Sequence, residues 1–302
     1  MAYIAVALLT DARRLEEALR TMGWIGCGTV LALSLANYLG RFQRWQMYLA
    51  IFGRRLPSSL HFLYYLSGFA FTVSPGKVGE AMRSVYLREH EVPYSQSMAA
   101  LFVERLVDVL AMVLLASMIV LSHRPYRPLI LGVLSIALIA LLAVSRPSLP
   151  RMLDTVGGRR TGRLGQVLAA FAELLRASSR LLRWRPLTVG LLLALVSWGA
   201  EGLGFGLICD GLALDVDTAL AIGVYSMAVL AGSAAFFLPA GIGGAEAVMT
   251  SLLVEQGAPV RVALVAVLLC RLATLWFAVL LGLVATALIE IRHRAERQRA
   301  IS

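Results

Sequence analysis

The chain has 302 residues, of which 59% are hydrophobic and only 15% are charged, and its mean hydropathy is +0.77. A soluble domain carries roughly 25% charged residues, so this composition excludes an ordinary soluble protein. The formal net charge is +10, but the arginines lie mostly between apolar segments, a pattern typical of membrane topology signals rather than of nucleic-acid binding. We therefore predict a polytopic membrane protein with no nucleic-acid partner.

Apolar segments along the chain predict the membrane-crossing elements, because about 20 helical residues span roughly 30 Å of hydrocarbon. The first nine residues are apolar but too few for a span, and they look like the remnant of one. The candidate segments are residues 24–39, 58–73, 96–121, 128–144, 187–209, 218–238 and 260–289.

The loops between these segments predict the orientation of the chain. The connection 146–185 holds nine arginines and the tail 290–302 holds four, whereas the connection from Cys209 to Thr218 holds three aspartates and no basic residue. The positive-inside rule places the two basic segments in the cytoplasm and the acidic one outside. Within the basic connection, apolar residues recur at helical spacing from Leu164 to Leu182. This predicts either an amphipathic helix on the inner leaflet or a solvated helix packed on the bundle.

Two stretches interrupt the apolar pattern with glycine, proline and charge: SPGKVGEAMR at 74–83 and PAGIGGAEAVM at 239–249. A shift of 166 residues superimposes Glu80 on Glu246 and Arg105 on Arg271, with 11 identities over the 36 positions 80–115. The predicted topology gives the two copies opposite orientation, and inverted repeats with broken helices are typical of secondary transporters.

We therefore predict an all-α polytopic membrane protein, an inverted-repeat helical bundle with two broken or re-entrant helical hairpins. The chain forms one transmembrane domain over residues 1–302. Repeat one covers about 24–121, a linker span and basic loop cover 122–186, repeat two covers 187–289, and a cytoplasmic tail covers 290–302.

Charged residues inside apolar segments supply the candidate site. Each costs roughly 2.5–3.5 kcal/mol on insertion scales, so such residues usually face a partner or a wet cavity. The cations would attract a phosphate, and the carboxylates would balance charge or carry protons. The candidate substrate-binding residues are Lys77 (the only lysine), Glu80, Arg83, Glu104, Arg105, Asp108, Glu201, Glu246 and Arg271.

Structural roles for several of these residues are an open alternative. Glu80 and Glu246 follow glycine breaks, where carboxylates could cap helix starts and pair with Arg105 and Arg271. For Arg41 and Arg44 we favour positive-inside anchors over headgroup contacts.

Four short motifs together resemble a known family, the transmembrane region of lysylphosphatidylglycerol synthases and related flippase-like proteins. The motifs are R-x-x-R-W at 41–45, P-G-K-x-G-E at 75–80 with Arg83, E-R-x-x-D at 104–108, and P-x-G-x-G-x-x-E at 239–246. The resemblance covers residues 11 to 290 and implies a bacterial inner-membrane protein that moves, or helps to move, lipids between leaflets. The soluble synthase domain and most of the first span of the family are not found, so synthesis of lysylphosphatidylglycerol is not implied.

The leading hypothesis is a translocase for an anionic or aminoacylated phospholipid, a polyprenyl phosphate or a hopanoid-type lipid. The alternatives are a scaffold for a lipid-synthesis enzyme, with the 164–182 segment as its contact surface, and a membrane-embedded transferase or phosphatase. We do not expect an enzyme or a cofactor, because no metal or nucleophile motif is found. His61, the histidine within an apolar segment, is expected to pack or to hydrogen-bond in the bundle.

Overall fold

In the computed structural model, the described residues are 12–72, 80–119, 124–158, 162–234 and 243–301. Helices joined by short turns account for these residues, which include no β-strand. The α-helices are α1 Ala12–Ile51, α2 Ser58–Ser67, α3 Met82–Arg88, α4 Tyr94–Ala116, α5 Arg127–Ser145, α6 Ser148–Gly158, α7 Arg163–Leu181, α8 Trp184–Gly211, α9 Thr218–Ala234, α10 Gly244–Glu255, α11 Val260–Arg271 and α12 Phe277–Ile301. The all-α prediction is confirmed.

Long apolar helices identify a multi-pass membrane protein. Among the described residues, four helices are long and apolar enough to cross a bilayer: Glu16–Ile51, Arg127–Ser145, Trp184–Gly211 and Val260–Arg294. Helix α4 has 23 residues, also enough for a span, but it carries Glu104, Arg105 and Asp108 near its middle. These charges need compensation inside the protein.

Helix α1 differs from the predicted first span in its length. Gly23 has φ 62° and ψ 179° and kinks the helix one residue before the predicted start. Beyond residue 39, where we predicted the end, the helix continues through Arg41 and Arg44 to Ile51. Hydropathy ends a segment at charged residues, whereas in the folded protein these arginines have partners on other helices.

Short helices flank both predicted breaks. Helix α2 passes into the 3-10 segment Gly68–Phe71 before the first break, and α3 follows it with only 7 residues. At the second break, α9 has 17 residues and α10 has 12. All are shorter than the roughly 20 residues of a full span, as broken helices require. Residues 73–79, including Lys77, and residues 235–242 lie outside the described ranges.

The turns after α3 and α10 support the repeat at the level of the backbone. Glu91 has φ 59° and Gly257 has φ 86°, and these residues are 166 positions apart. A proline follows each turn as the N-cap of the next helix, Pro93 before α4 and Pro259 before α11. The left-handed conformation is unusual for a glutamate, so the shared geometry is informative. The inverted orientation itself stays a prediction.

Small residues allow the long helices to approach each other closely. Helix α1 packs along α8, where a Cβ on Gly40 would clash with Ser197 and one on Gly190 would clash with the Tyr48 hydroxyl. Close packing through small residues is a common way to associate helices in membranes. Helix α4 contacts α1, α5, α7, α8 and α9, so its charges lie at the centre of the bundle.

The basic connection folds into the α6–α7 hairpin. Helix α7 packs on α4 with Ala172 and Leu175 buried, while Val167 and Phe171 remain 62% and 48% exposed. The helix is therefore packed on the bundle and also presents an apolar flank, so features of both sequence alternatives are found.

We predict that Gly282→Ala destabilises the protein by about 1–3 kcal/mol, the usual cost of overpacking. A Cβ at Gly282 would clash with the backbone of Phe69 and Ala70, which cannot move aside as a flexible side chain can. Gly132→Ala is the matched control, because its Cβ meets no atom within 4 Å. Thermal unfolding of both variants in detergent tests the prediction, and equal midpoints would contradict it.

Candidate functional site

Two carboxylates of α4 form the centre of a buried ion network. Glu104 and Asp108 lie one turn apart and are 0% and 2% exposed. Asp108 Oδ1 is 2.6 Å from Arg44 Nη2, and Asp108 Oδ2 is 2.9 Å from Arg105 Nη2. Glu104 Oε2 is 3.3 Å from Arg83 Nη1. The i,i+4 spacing places both acids on one face of α4, so helices α1 and α3 can each supply an arginine to it.

Glu104 is surrounded by cations. Its Oε1 lies 3.6 Å from Arg44 Nη2, 3.7 Å from Arg41 Nη2 and 3.2 Å from Arg105 Nη2. Neutral donors complete the shell of the two acids: Tyr65 donates to Glu104 over 3.2 Å, and Trp198 Nε1 donates to Asp108 over 3.0 Å. Buried carboxylates with this many donors remain anionic.

Aromatic rings cover two of the arginines. The Arg83 guanidinium carbon lies 4.4 Å from the Trp45 ring centre, and that of Arg41 lies 5.0 Å from the Trp198 ring centre. Such cation–π contacts stabilise a desolvated guanidinium. They help to explain how these cations tolerate burial.

We name this set of seven ionic side chains the repeat-one cluster. It has four arginines and three carboxylates, which leaves one excess positive charge. Its members are Arg41, Arg44, Glu80, Arg83, Glu104, Arg105 and Asp108.

Arg41 and Arg44 have contacts that the anchor interpretation did not include. They are only 6% and 0% exposed, and Arg44 pairs with Asp108, while the positive-inside role itself stays a prediction. Their position beside a predicted cytoplasmic loop suggested an anchor. Their contacts with α4 could not be read from that position.

The second break carries a related pair. Arg271 Nε lies 2.8 Å from Glu246 Oε1, and the second carboxylate oxygen of Glu246 accepts the backbone N–H of Gly243 over 2.7 Å. Glu246 therefore caps α10 and pairs with arginine, as the structural alternative predicted. The corresponding pair, Glu80 and Arg105, has its closest atoms 3.5 Å apart, and Glu80 also contacts Arg83 at 2.9 Å. Both repeats thus join an acid after the break to an arginine on the next helix.

A π-helical turn, Leu272–Trp276, follows Arg271 directly. Such turns interrupt regular helix hydrogen bonding and occur frequently at functional sites. Here the Thr274 carbonyl accepts the Tyr38 hydroxyl over 2.6 Å. The turn therefore links the helix that carries Arg271 to α1.

A cavity of about 80 Å³ lies between the two halves of the chain, and we call it the central chamber. Repeat one contributes Arg41 and Glu80 to its wall, and repeat two contributes Glu201 and Arg271. The Tyr225 hydroxyl, also in the wall, donates to Glu201. A polar space of this size can hold water, so charges of both signs meet in a site that can be hydrated.

The sequence-predicted residues divide into three groups around the chamber. Glu80, Glu201 and Arg271 line it, as does Arg41, which we had treated mainly as an anchor. Four residues stand behind the wall in the repeat-one cluster: Arg83, Glu104, Arg105 and Asp108. Glu246 contacts the chamber residue Arg271, and Lys77 lies outside the described residues.

Aromatic residues were missing from the sequence-based site. Tyr38 and Tyr225 line the chamber, while Tyr65 and Trp198 donate to the central acids. Buried Tyr and Trp usually need a partner for their polar atom. Tyr and Trp in apolar segments therefore indicated that a buried polar partner was needed. The sequence did not show which residue that partner is.

His61 has the structural role that we expected. Its Nε2 accepts the indole N–H of Trp45 over 2.9 Å, and it is 2% exposed. Within the described ranges, no three His, Cys, Asp or Glu side chains are grouped as metal ligands would be.

Comparison with known families agrees with these features. The family model described as "Lysylphosphatidylglycerol synthase TM region" matches residues 1–282, so the chain belongs to this family of membrane proteins. The resemblance seen in the four short motifs is thereby confirmed. Comparison with curated proteins gives no match.

We predict that Glu104→Gln destabilises the protein by about 3–5 kcal/mol, the cost of breaking a buried ion pair from one side. The substitution keeps the shape of the side chain but leaves four nearby arginines with one carboxylate fewer. Glu290→Gln is the control, since Glu290 pairs with Arg294 at 3.0 Å on the exposed surface, where ion pairs contribute little. Thermal unfolding in detergent measures both, and similar shifts would contradict a central role for Glu104.

Proposed function

We propose that this protein is a lipid translocase of the bacterial inner membrane, with the C-terminus in the cytoplasm. A negatively charged headgroup passes through the central chamber while the hydrocarbon chains remain in the apolar phase. Family membership supports a role in lipid synthesis or translocation. The particular substrate that we propose is an anionic phospholipid, because the chamber offers arginine to a phosphate.

Arg41 is the observation on which the proposal rests. Its side chain lines the chamber and is 7% exposed, and its Nε and Nη2 donate no hydrogen bond to any described residue. Buried guanidinium N–H groups without acceptors are costly. A phosphate can accept two such donors at once from one arginine.

Charge balance suggests how a headgroup could be held and released. The repeat-one cluster has one excess positive charge, while Glu201, Glu246 and Arg271 carry one excess negative charge when both acids are ionised. Protonation of Glu201 would make the sum positive and favour a bound anion. Loss of that proton would favour its release.

The chamber must widen during transport. A volume of about 80 Å³ suits a few water molecules, not a phospholipid headgroup. We therefore propose that this arrangement is the closed one and that the two halves separate by rocking, as in other inverted-repeat transporters.

The proposal is tested with purified protein in liposomes, using phosphatidylglycerol that is fluorescent on one chain and a quencher that cannot cross the bilayer. Wild type should move phosphatidylglycerol between leaflets faster than empty liposomes do, and faster than it moves zwitterionic phosphatidylcholine. Parallel experiments with aminoacylated phosphatidylglycerol and with polyprenyl phosphate measure whether the protein also moves these lipids between leaflets. Rates equal to those of empty liposomes for every lipid would refute the proposal.

Arg41→Gln should abolish the acceleration, because it removes the chamber-wall arginine that the proposal assigns to the phosphate. Arg20→Gln is the control, since Arg20 is 79% exposed in its pair with Glu16 and should leave the rate unchanged. Arg41→Lys keeps the positive charge but lacks the two parallel N–H donors of a guanidinium group. This variant should therefore transport phosphatidylglycerol more slowly than wild type. Thermal unfolding checks that all three variants fold, and full transport by Arg41→Gln would remove the main support for the proposal.

Glu201→Gln should bind phosphatidylglycerol more tightly than wild type and release it more slowly, because the amide imitates a protonated acid. Its transport rate should fall and should lose the pH dependence of the wild-type rate. Asp210→Asn, at the exposed end of the same helix, is the control and should retain the pH dependence of wild type. Unchanged binding and pH dependence in Glu201→Gln would exclude the proton-carrying role.

A scaffold role is the second candidate, and the α6–α7 hairpin is the observation that favours it. Five large apolar side chains are exposed on this hairpin, namely Met152, Val156, Leu164, Val167 and Phe171. The double variant Val167→Ser, Phe171→Ser separates the two functions without disturbing the buried face of α7. A scaffold would lose its partner enzyme, whereas a translocase that works alone would transport at the wild-type rate.

A further inference from the structure

A second and larger cavity lies beside the central chamber. It is a groove of about 610 Å³ between α4, α5, α9 and α10, which we call the lateral groove. Its walls are formed mainly by aliphatic side chains, including Val113, Val133, Leu230 and Val248. The volume lies within the roughly 300–1,000 Å³ of typical ligand pockets.

The polar side chains in the wall of the lateral groove already have acceptors. Ser233 donates to the Val229 carbonyl over 2.8 Å, and Ser251 donates to the Ala247 carbonyl over 2.7 Å. The third hydroxyl, of Tyr126, donates to Glu255. A wall whose donors are all used within the protein suits hydrocarbon and offers little to a polar ligand.

Helix α9 joins the groove to the chamber. Ser233 lines both spaces. Val229 and Gly232 face the chamber, whereas Leu230 and Ala231 face the groove. A charged site and an apolar site therefore lie on two sides of one helix. This arrangement matches an amphiphilic molecule, whose charged headgroup is joined to an apolar chain.

A polar contact joins two of the elements around the groove. The Tyr126 hydroxyl, just before α5, lies 2.6 Å from Glu255 Oε2 at the end of α10. The hydrogen bond to Glu255 raises the pKa of Tyr126 to about 12, so at neutral pH the hydroxyl keeps its proton and the contact persists.

We infer that the lateral groove holds one acyl chain of the anionic phospholipid whose phosphate enters the central chamber when the chamber widens. This inference rests on the proposed function and deepens it. The protein would then discriminate between lipids by the length of the acyl chain as well as by the charge of the headgroup. An acyl chain of a phospholipid is the occupant we commit to, because the groove opens beside a site that suits a phosphate.

Filling the groove tests the inference. Ala231→Trp narrows it from α9, and Ala143→Trp places the same side chain on the exposed surface of α5 as a matched control. Wild type and the control should transfer phosphatidylglycerol with 16-carbon chains faster than with 8-carbon chains. Ala231→Trp should lose this preference while it still transfers the short-chain lipid, which shows that the variant folds and that the chamber works.

Identical chain-length preference in Ala231→Trp and Ala143→Trp would overturn the inference and leave the proposed function intact. No transfer of either lipid by wild type would instead be a failure of the proposed function. The two failures are therefore distinguishable.

A binding measurement that does not depend on transport uses phosphatidylglycerol with a photoreactive diazirine near the end of one chain. On wild-type protein, labelling should concentrate on the peptides of α5, α9 and α10 that line the groove, and Ala231→Trp should lose it. Labelling spread evenly over the lipid-facing surface, including Ile139, would indicate only surrounding lipid and overturn the inference. Labelling by a diazirine polyprenyl phosphate in place of the phospholipid would also overturn it.

Discussion

The need to neutralise two buried carboxylates on α4 constrains much of this structure. Glu104 and Asp108 lie where no solvent reaches them, so each requires cations and hydrogen-bond donors from other helices. Helix α1 supplies Arg44, α3 supplies Arg83, and α8 supplies the indole of Trp198. The same contacts that stabilise the acids therefore fix how these helices are arranged around α4, and they bring Arg41 to the chamber wall.

The central chamber follows from this arrangement. Four arginines around three acids leave a positive excess on one side, while the acids of repeat two lie opposite. The ion network is well suited to bracing the site, because its arginines and carboxylates pair with one another. Arg41 and Arg44 each have two nitrogens that find no acceptor among the described residues, and Arg41 differs from Arg44 in that it lines the chamber. Under the proposed function, the network holds Arg41 in place and Arg41 binds the headgroup.

Sequence reasoning predicted the residues of the site better than their contacts. Identical spacing at the two breaks identified Glu80 with Arg105 and Glu246 with Arg271, and both pairs form. The left-handed backbone of Glu91 and Gly257 supports the same repeat. The burial of Arg41 and Arg44 was not foreseen, because a charge at the end of an apolar segment is usually interpreted as an anchor and contacts between helices cannot be read from the sequence. The lateral groove has no sequence signal, since its lining residues are ordinary aliphatic ones.

The sequence by itself determined the class of the protein and the ionic residues that need an explanation, and it predicted the membrane-crossing segments and the internal repeat. These follow from local properties: hydropathy, spacing and the cost of a charge in hydrocarbon. Only the tertiary structure decided which charges pair, that Arg41 and Arg44 are buried, and that a small polar chamber adjoins a large apolar groove. Pairing and cavity shape depend on helix packing, because they join residues such as Arg44 and Asp108 that are 64 positions apart in the chain.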